Sequence, residues 1–196
     1  MKKLLVILSV LFLTMSVVAQ TPSSPVSIYA GGAFSMPSGG SFFTDAFKTG
    51  FHGSIGLGWK VAPTLQMVPK VEFHQFSSEA SGVLGISDGS KKIWMFGLDG
   101  RFSTSVPAFP LKPYFVGGGG FANVKQSQFS GPTLLTSVLN TTVPADQTKF
   151  YFNVGAGLDL FSNPAFSLWL QARYVSVSTD TESTQFVPVS LGVKFL

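Results

Sequence analysis

The sequence predicts an all-β fold, an eight-stranded antiparallel up-and-down transmembrane β-barrel, and three observations carry that reading. Only 11% of the residues are charged while 45% are hydrophobic, whereas a soluble domain usually carries about 25% charge. No stretch beyond the N-terminus reaches the roughly 18 consecutive apolar residues of a transmembrane helix. From residue 26 onward, apolar side chains instead recur at every second position in a series of segments. Each is about ten residues long, the length a tilted strand needs to cross a bilayer.

The N-terminus reads as a leader. Lys2 and Lys3 precede an apolar run from Leu4 to Leu13 broken only by Ser9, and Val17-Val18-Ala19 places small residues before a cut expected after Ala19. This is the layout of a secretory signal peptide. The expected organisation is therefore a cleaved signal peptide over 1–19, a short turn-rich linker over 20–25 and a barrel domain over 26–196. Of the 13 Lys and Arg, 11 remain without Lys2 and Lys3, against 9 acidic residues, a net charge of +2. No basic run survives to hold nucleic acid. The absence of cysteine excludes thiol catalysis, cysteine zinc sites, disulfides and a lipid anchor on an N-terminal cysteine.

Alternation assigns each strand and its faces in turn. Over 26–35, Val26, Ile28, Ala30, Gly32 and Phe34 share one face. Over 51–61, Phe51, Ile55, Leu57, Trp59 and Val61 point to lipid, with His52, Ser54 and Lys60 inward. Over 65–76 the outward set is Leu65, Met67, Pro69, Val71 and Phe73, and the inward set Gln66, Lys70, Glu72 and His74. Over 93–103, Trp94, Phe96, Leu98 and Phe102 are outward, with Met95, Asp99 and Arg101 inward. The fifth strand, 113–124, is read as outward at Tyr114, Val116, Gly118, Gly120, Ala122 and Val124. Over 150–160, Phe150, Phe152, Val154, Ala156, Leu158 and Leu160 are outward, with Tyr151, Asn153 and Asp159 inward. The seventh, 166–176, puts Phe166, Leu168, Leu170, Ala172 and Tyr174 outward and Trp169, Gln171 and Arg173 inward. The last, 187–196, puts Val187, Val189, Leu191, Val193 and Phe195 outward and Ser190 and Lys194 inward.

Connections alternate in length, as they do in bacterial barrels with short periplasmic turns and longer external loops. Residues 36–50, 77–92, 125–149 and 177–186 are long and polar. Ala62-Pro63-Thr64 and Ser162-Asn163-Pro164-Ala165 are tight, and 104–112 with Pro107 and Pro110 is intermediate. Outward aromatics fall at two heights. Phe34, Phe51, Phe73, Trp94, Phe150 and Tyr174 lie towards the long loops, and Trp59, Phe102, Tyr114, Phe166 and Phe195 towards the short turns. Two such girdles are expected of a barrel at the two membrane interfaces.

Pro113-Tyr114-Phe115-Val116-Gly117-Gly118-Gly119-Gly120-Phe121, Asn153-Val154-Gly155-Ala156-Gly157-Leu158-Asp159, Ala172-Arg173-Tyr174 and the ending Val189-Ser190-Leu191-Gly192-Val193-Lys194-Phe195-Leu196 together resemble the outer-membrane protein β-barrel family. This is the eight-stranded group that includes the transmembrane domain of outer-membrane protein A. The resemblance implies a monomer in the outer membrane of a Gram-negative-type bacterium, surrounded by lipid. It also implies insertion by the barrel-assembly machinery through the C-terminal segment, although here Leu196 rather than an aromatic is terminal. No wall-binding domain is expected after the last strand.

Inward charges are Lys60, Lys70, Glu72, Asp99, Arg101, Asp159, Arg173 and Lys194. An eight-stranded barrel is just wide enough for side chains to fill, and isolated buried ions are costly. The charges are therefore expected to pair and fill the lumen, with a narrow ion pathway as the competing reading. A turn centred on Pro63 sets His52 opposite His74, with Glu72 diagonal to His52. That set resembles part of a zinc site, but the expected role is a polar network without metal. No cofactor is expected. His52 and Ser54 share a face, yet no acid–base–nucleophile set stands out. Gly117–Gly120 has neither the Lys-Ser/Thr nor the following helix of a phosphate loop, so its glycines are expected to curve the sheet or make room for large neighbours. In loop 125–149, Thr133-Leu134-Leu135-Thr136-Ser137-Val138-Leu139 is expected either to form an apolar contact patch or to fold onto the rim. The expected function is structural or surface-interacting and non-enzymatic. Alternatives are a conduit or binding barrel for ions or a small hydrophobic ligand, and a lipid-modifying rim enzyme.

Overall fold

The computed structural model describes residues 26–39, 41–78, 87–104, 111–130, 136, 140, 146–179 and 183–195. The expected signal peptide 1–19, the linker 20–25, Pro107, Pro110 and Leu196 lie outside the described residues, as does 133–139 apart from Thr136. Eight strands close into a barrel: β1 (Val26–Pro37), β2 (Gly50–Lys60), β3 (Leu65–Phe76), β4 (Lys91–Ser103), β5 (Lys112–Gln126), β6 (Gln147–Ser162), β7 (Phe166–Val177) and β8 (Thr184–Phe195). Each is antiparallel to its sequence neighbours, and β1 pairs with both β2 and β8, so the sheet has no free edge. Closure matters because nothing in hydrocarbon can satisfy an exposed strand edge.

The strands run to 16 residues, longer than the bilayer requires, because pairing continues above the membrane on the long-loop side. There the outer face turns polar. Asn123 Nδ2 donates to Thr148 Oγ1 at 3.0 Å, and the exposed pair Lys125–Asp146 lies at 2.7 Å. On the opposite side the turns are tight. Leu65 N donates to Ala62 O at 3.2 Å, and Asn163 Oδ1 accepts from Ala165 N and Phe166 N at 2.8 Å each, tying the β6–β7 turn.

The outward faces match the alternation in seven strands. Phe34, Phe51, Ile55, Trp59, Phe96, Phe102, Phe150, Val154 and Leu191 are exposed, as side chains solvated by lipid must be. Above them the upper girdle is continuous across strands, with Phe51, Phe73 and Trp94 in sequential ring contact at 6.4 and 4.8 Å. A bulge after Asp159 lets Leu160 and Phe161 both face out while keeping the carboxylate inside.

The fifth strand is the exception, and its expected faces are reversed. Phe115 and Phe121 are both 63% exposed, whereas Tyr114, Val116, Ala122 and Val124 are buried in the lumen. Tyr114 therefore leaves the lower girdle and Phe115 joins the lipid face. The reason is chemical. A tyrosine hydroxyl has no partner in hydrocarbon, whereas inside, Tyr114 OH donates to Leu170 O at 3.4 Å and its ring lies 3.5 Å beneath the Arg101 guanidinium.

Three of the long connections carry structure that alternation does not reveal. The 36–50 connection contains a short helix, α1 (Ser41–Ala46). Ser87–Asp88 pairs with Phe129–Ser130 in a two-residue ribbon that joins the 77–90 and 127–146 connections. Asn140 fastens that ribbon, its Oδ1 accepting from Phe129 N at 2.7 Å and its Nδ2 donating to Phe129 O at 3.0 Å.

Candidate functional site

The lumen is the site, and its side chains stack in layers along the barrel axis. At the long-loop mouth an apolar plug fills the bore. Phe76, Ile93, Met95, Val124, Tyr151, Val175, Val177 and Phe186 reach in from the strands, and Phe43 and Phe47 fold back from α1 and its end. Phe43 packs edge-on against Phe76 at 5.2 Å. Lys91 lies 4.7 Å above the Phe43 ring and donates to Thr184 Oγ1 at 2.8 Å, on a strand directly across the barrel. Its aliphatic stem can join the plug while its ammonium finds a hydroxyl.

Below the plug lies the histidine layer. His52 and His74 are paired in register across β2 and β3, as the turn at Pro63 predicts, and their rings stack at 5.0 Å. Ser35 Oγ stands 3.1 Å from His52 Nδ1 and 2.9 Å from His74 Nδ1, and Ser190 Oγ lies 2.8 Å from His52 Nε2. A hydroxyl carries one proton, so Ser35 donates to one ring and accepts from the other, and the two Nδ1 atoms play opposite roles. Three of the four ring nitrogens are thus engaged by serines. Among the described residues no group of three or more His, Cys, Asp or Glu is placed to hold a metal. Ser54, on the same face as His52, donates instead to Gly31 O at 3.3 Å.

The central layer is ionic. Arg173 on β7 spans the full bore to β3 and engages both oxygens of Glu72, and its Nη1 lies 3.6 Å from Asp99. Lys70 Nζ completes the set at 3.1 Å from Glu72 and 2.6 Å from Asp99, and Asn153 Nδ2 donates to Asp99 Oδ1 at 2.8 Å. Two cations balance two carboxylates, as buried charges require. Beside this set lies a small cavity of about 50 Å³ whose lining includes Trp169 and Arg173. Trp169 Nε1 and Arg173 Nε have no protein hydrogen-bond partner, and a polar cavity of this size has room for a few bridging waters.

A second ionic layer follows towards the short turns. Arg101 bonds Asp159 at 2.6 Å and donates to Tyr29 OH at 3.3 Å, and Lys194 approaches Asp159 at 3.8 Å. Tyr29 OH donates to Gln66 Oε1 at 2.5 Å, and Gln66 Nε2 donates to Ser27 Oγ at 2.6 Å. Large rings fit here because inward glycines face them. A Cβ on Gly192 would stand 2.3 Å from the Trp169 ring, and one on Gly157 2.3 Å from the Tyr114 ring. Within the Gly117–Gly120 run, a Cβ on Gly118 would meet Leu98 O at 2.2 Å and the Asp99 carboxylate at 2.3 Å, so that glycine makes room for both.

Of the eight charges expected inside, seven join these two layers. Lys60 stands apart, exposed at the rim beside the short turns. Sequence reasoning missed Lys91 and Lys112, both just outside the expected strand limits, and missed Phe43 and Phe47. The apolar pairing Phe42-Phe43 with Phe47 in an otherwise polar loop was the available signal.

A family model described as outer membrane protein beta-barrel domain matches residues 5–195. The crystal structure of Neisserial surface protein A is 17% identical over 88% of this chain and 97% of its own, with a TM-score of 0.63. The outer membrane protein OprG from Pseudomonas aeruginosa is 12% identical over 86% and 94%, with a TM-score of 0.50. The outer membrane enzyme PagL matches 86% of this chain and 97% of its own at 17% identity and a TM-score of 0.43, a likeness from which no activity follows. No curated protein sequence matches the chain.

Proposed function

Because the chain belongs to the outer membrane protein beta-barrel domain family, we propose that it serves the outer membrane as a closed-bore barrel. On this reading the body contributes to the envelope and the external loops contact other molecules. The observation that carries the reading is the sequence of layers across one bore. An apolar plug and a central ionic layer each reach from wall to wall, with a serine-bound histidine pair on one side of the bore between them and a second ionic layer below. A conducting pore instead needs a continuous polar path, and a hydrophobic constriction alone gates by dewetting. The ribbon between the 77–90 and 127–146 connections, fastened by Asn140, supports an ordered external surface.

The barrel is proposed to act as a monomer in lipid, inserted by the barrel-assembly machinery after removal of residues 1–19. It is proposed to be non-enzymatic, because its histidines and their serines are buried beneath the plug rather than open at the rim. Planar-bilayer recordings of purified protein test the central claim. No steady conductance is expected, either for the native chain or for a Phe43→Ala/Phe47→Ala variant, in which the ionic layers persist. Steady conductance of the native chain sinks the closed-bore reading in favour of a narrow conduit.

A further inference from the structure

At the short-turn mouth of the bore, lysines outnumber carboxylates among the described residues. Below the Arg101–Asp159 layer lies a chamber of about 290 Å³, bounded by the short connections. Lys60 from β2, Lys112 from β5 and Lys194 from β8 line it. Strands β2 and β8 flank β1, and β5 stands across the barrel from β1, so the ammonium groups come from both sides of the opening. One carboxylate, Asp159, lines the chamber, and it is already bound by Arg101 at 2.6 Å. No described carboxylate lies within ion-pair distance of Lys60 or Lys112, and Lys194 reaches only Asp159, at 3.8 Å.

We propose that this mouth is a binding site for a multivalent oxyanion bearing phosphate groups, entering from the periplasmic side. Three like charges around one concavity raise the local potential, and low-dielectric walls focus it. An ammonium is a compact point charge that suits phosphate and needs no fixed fork geometry. A monovalent halide would neutralise only one of the three charges and gains little over hydration. The chamber approaches the lower size of small-molecule sites and is large enough for pyrophosphate. The same phosphate chemistry is available from free solutes and from headgroups of the inner leaflet.

The test is calorimetric titration of sodium pyrophosphate into the protein refolded in a non-ionic maltoside detergent, in phosphate-free buffer at low salt. Saturable binding at one site per barrel is expected. Lys60→Gln/Lys112→Gln should weaken it roughly tenfold or more while leaving the ionic layers and the folded, heat-modifiable gel band intact. Raising sodium chloride to about 0.5 M should weaken it similarly, as for partly exposed charges. Repeating the titration with a short-chain phosphatidic acid, whose phosphomonoester headgroup is multivalent, below its micellar concentration separates the sources. Saturation by the lipid and not by pyrophosphate assigns the site to headgroups, and the reverse assigns it to free anions. Saturation by neither, or equal binding by the double variant, overturns the proposal.

Discussion

Replacing Arg173 with leucine puts the electrostatics of the lumen to a direct test. The guanidinium crosses the bore to Glu72 and neighbours Asp99, and those two carboxylates are only 2% and 3% exposed. Its loss leaves both facing Lys70 alone, at 3.1 and 2.6 Å, so one negative charge is left without a partner. Removing one member of a buried ion pair costs about 3–5 kcal/mol. The adjoining cavity of about 50 Å³ can supply water to the orphaned carboxylate, which pulls the cost towards about 3 kcal/mol. Glu72→Gln alone leaves a cation in excess and should cost a similar amount. The double variant Arg173→Leu/Glu72→Gln retains the balanced Lys70–Asp99 pair, so it should lose far less than the sum, with a coupling of about 2 kcal/mol or more. Urea unfolding in short-chain lipid vesicles, followed by tryptophan fluorescence and gel mobility, measures all three. A loss below about 1 kcal/mol for Arg173→Leu, or simple additivity in the double variant, would falsify the picture of a coupled, water-poor ionic layer.

Two further predictions address packing and face. Gly192→Val should destabilise the barrel by about 1–3 kcal/mol through collision with Trp169 and with the Ala30 carbonyl, and the same substitution should cost less in a Trp169→Ala background. If Gly192→Val unfolds like the native protein in urea, the indole does not fill the space the glycine leaves. Because the chain has no cysteine, Phe115→Cys and Tyr114→Cys can each carry a single label. A fluorophore at 115 should be quenched by bromine-bearing acyl chains and one at 114 should not, and the opposite pattern would restore the reversed phase of β5.

That reversal shows where the sequence stops being decisive. Alternation has two phases, and a one-residue slip sends every side chain to the other face. In β3 the phase is unambiguous, because Lys70, Glu72 and His74 mark the polar side, and its limits of 65 and 76 agree with the structure. In β5 both phases are apolar and the four central glycines carry no polarity. The polar residues that remain mislead, because Asn123 and Lys125 face outward above the bilayer rather than into the bore. Lys112, one position before the expected start, belongs to the inward phase and is the marker that would have set it. The His52–His74 register was legible because a tight turn fixes the pairing of its two strands. The ion pairs were legible only as a list of inward charges. Glu72 and Arg173 are 101 positions apart, and which charge meets which depends on closure of the barrel. The helix α1 left little trace, since six residues are too few for a helical period.

The order of the layers also gives the molecule two chemically different ends. Charges in the middle of the bore lie where the surrounding bilayer offers no water, so they must satisfy one another, and they do so with equal numbers of each sign. At the outer mouth the same requirement is met by removing polarity. Phe43, Phe47, Phe76 and Phe186 occupy the space through which water would otherwise reach the histidines. Among the described residues, three lysines at the short-turn mouth surround one carboxylate that Arg101 already holds. Among the described residues, the long-loop end of the bore is therefore filled by buried apolar side chains, whereas the short-turn end holds a concavity lined by lysines. On the proposed reading, a solute recognised at the short-turn end of the bore is anionic and enters from the periplasm, and recognition on the outer side falls to the loops.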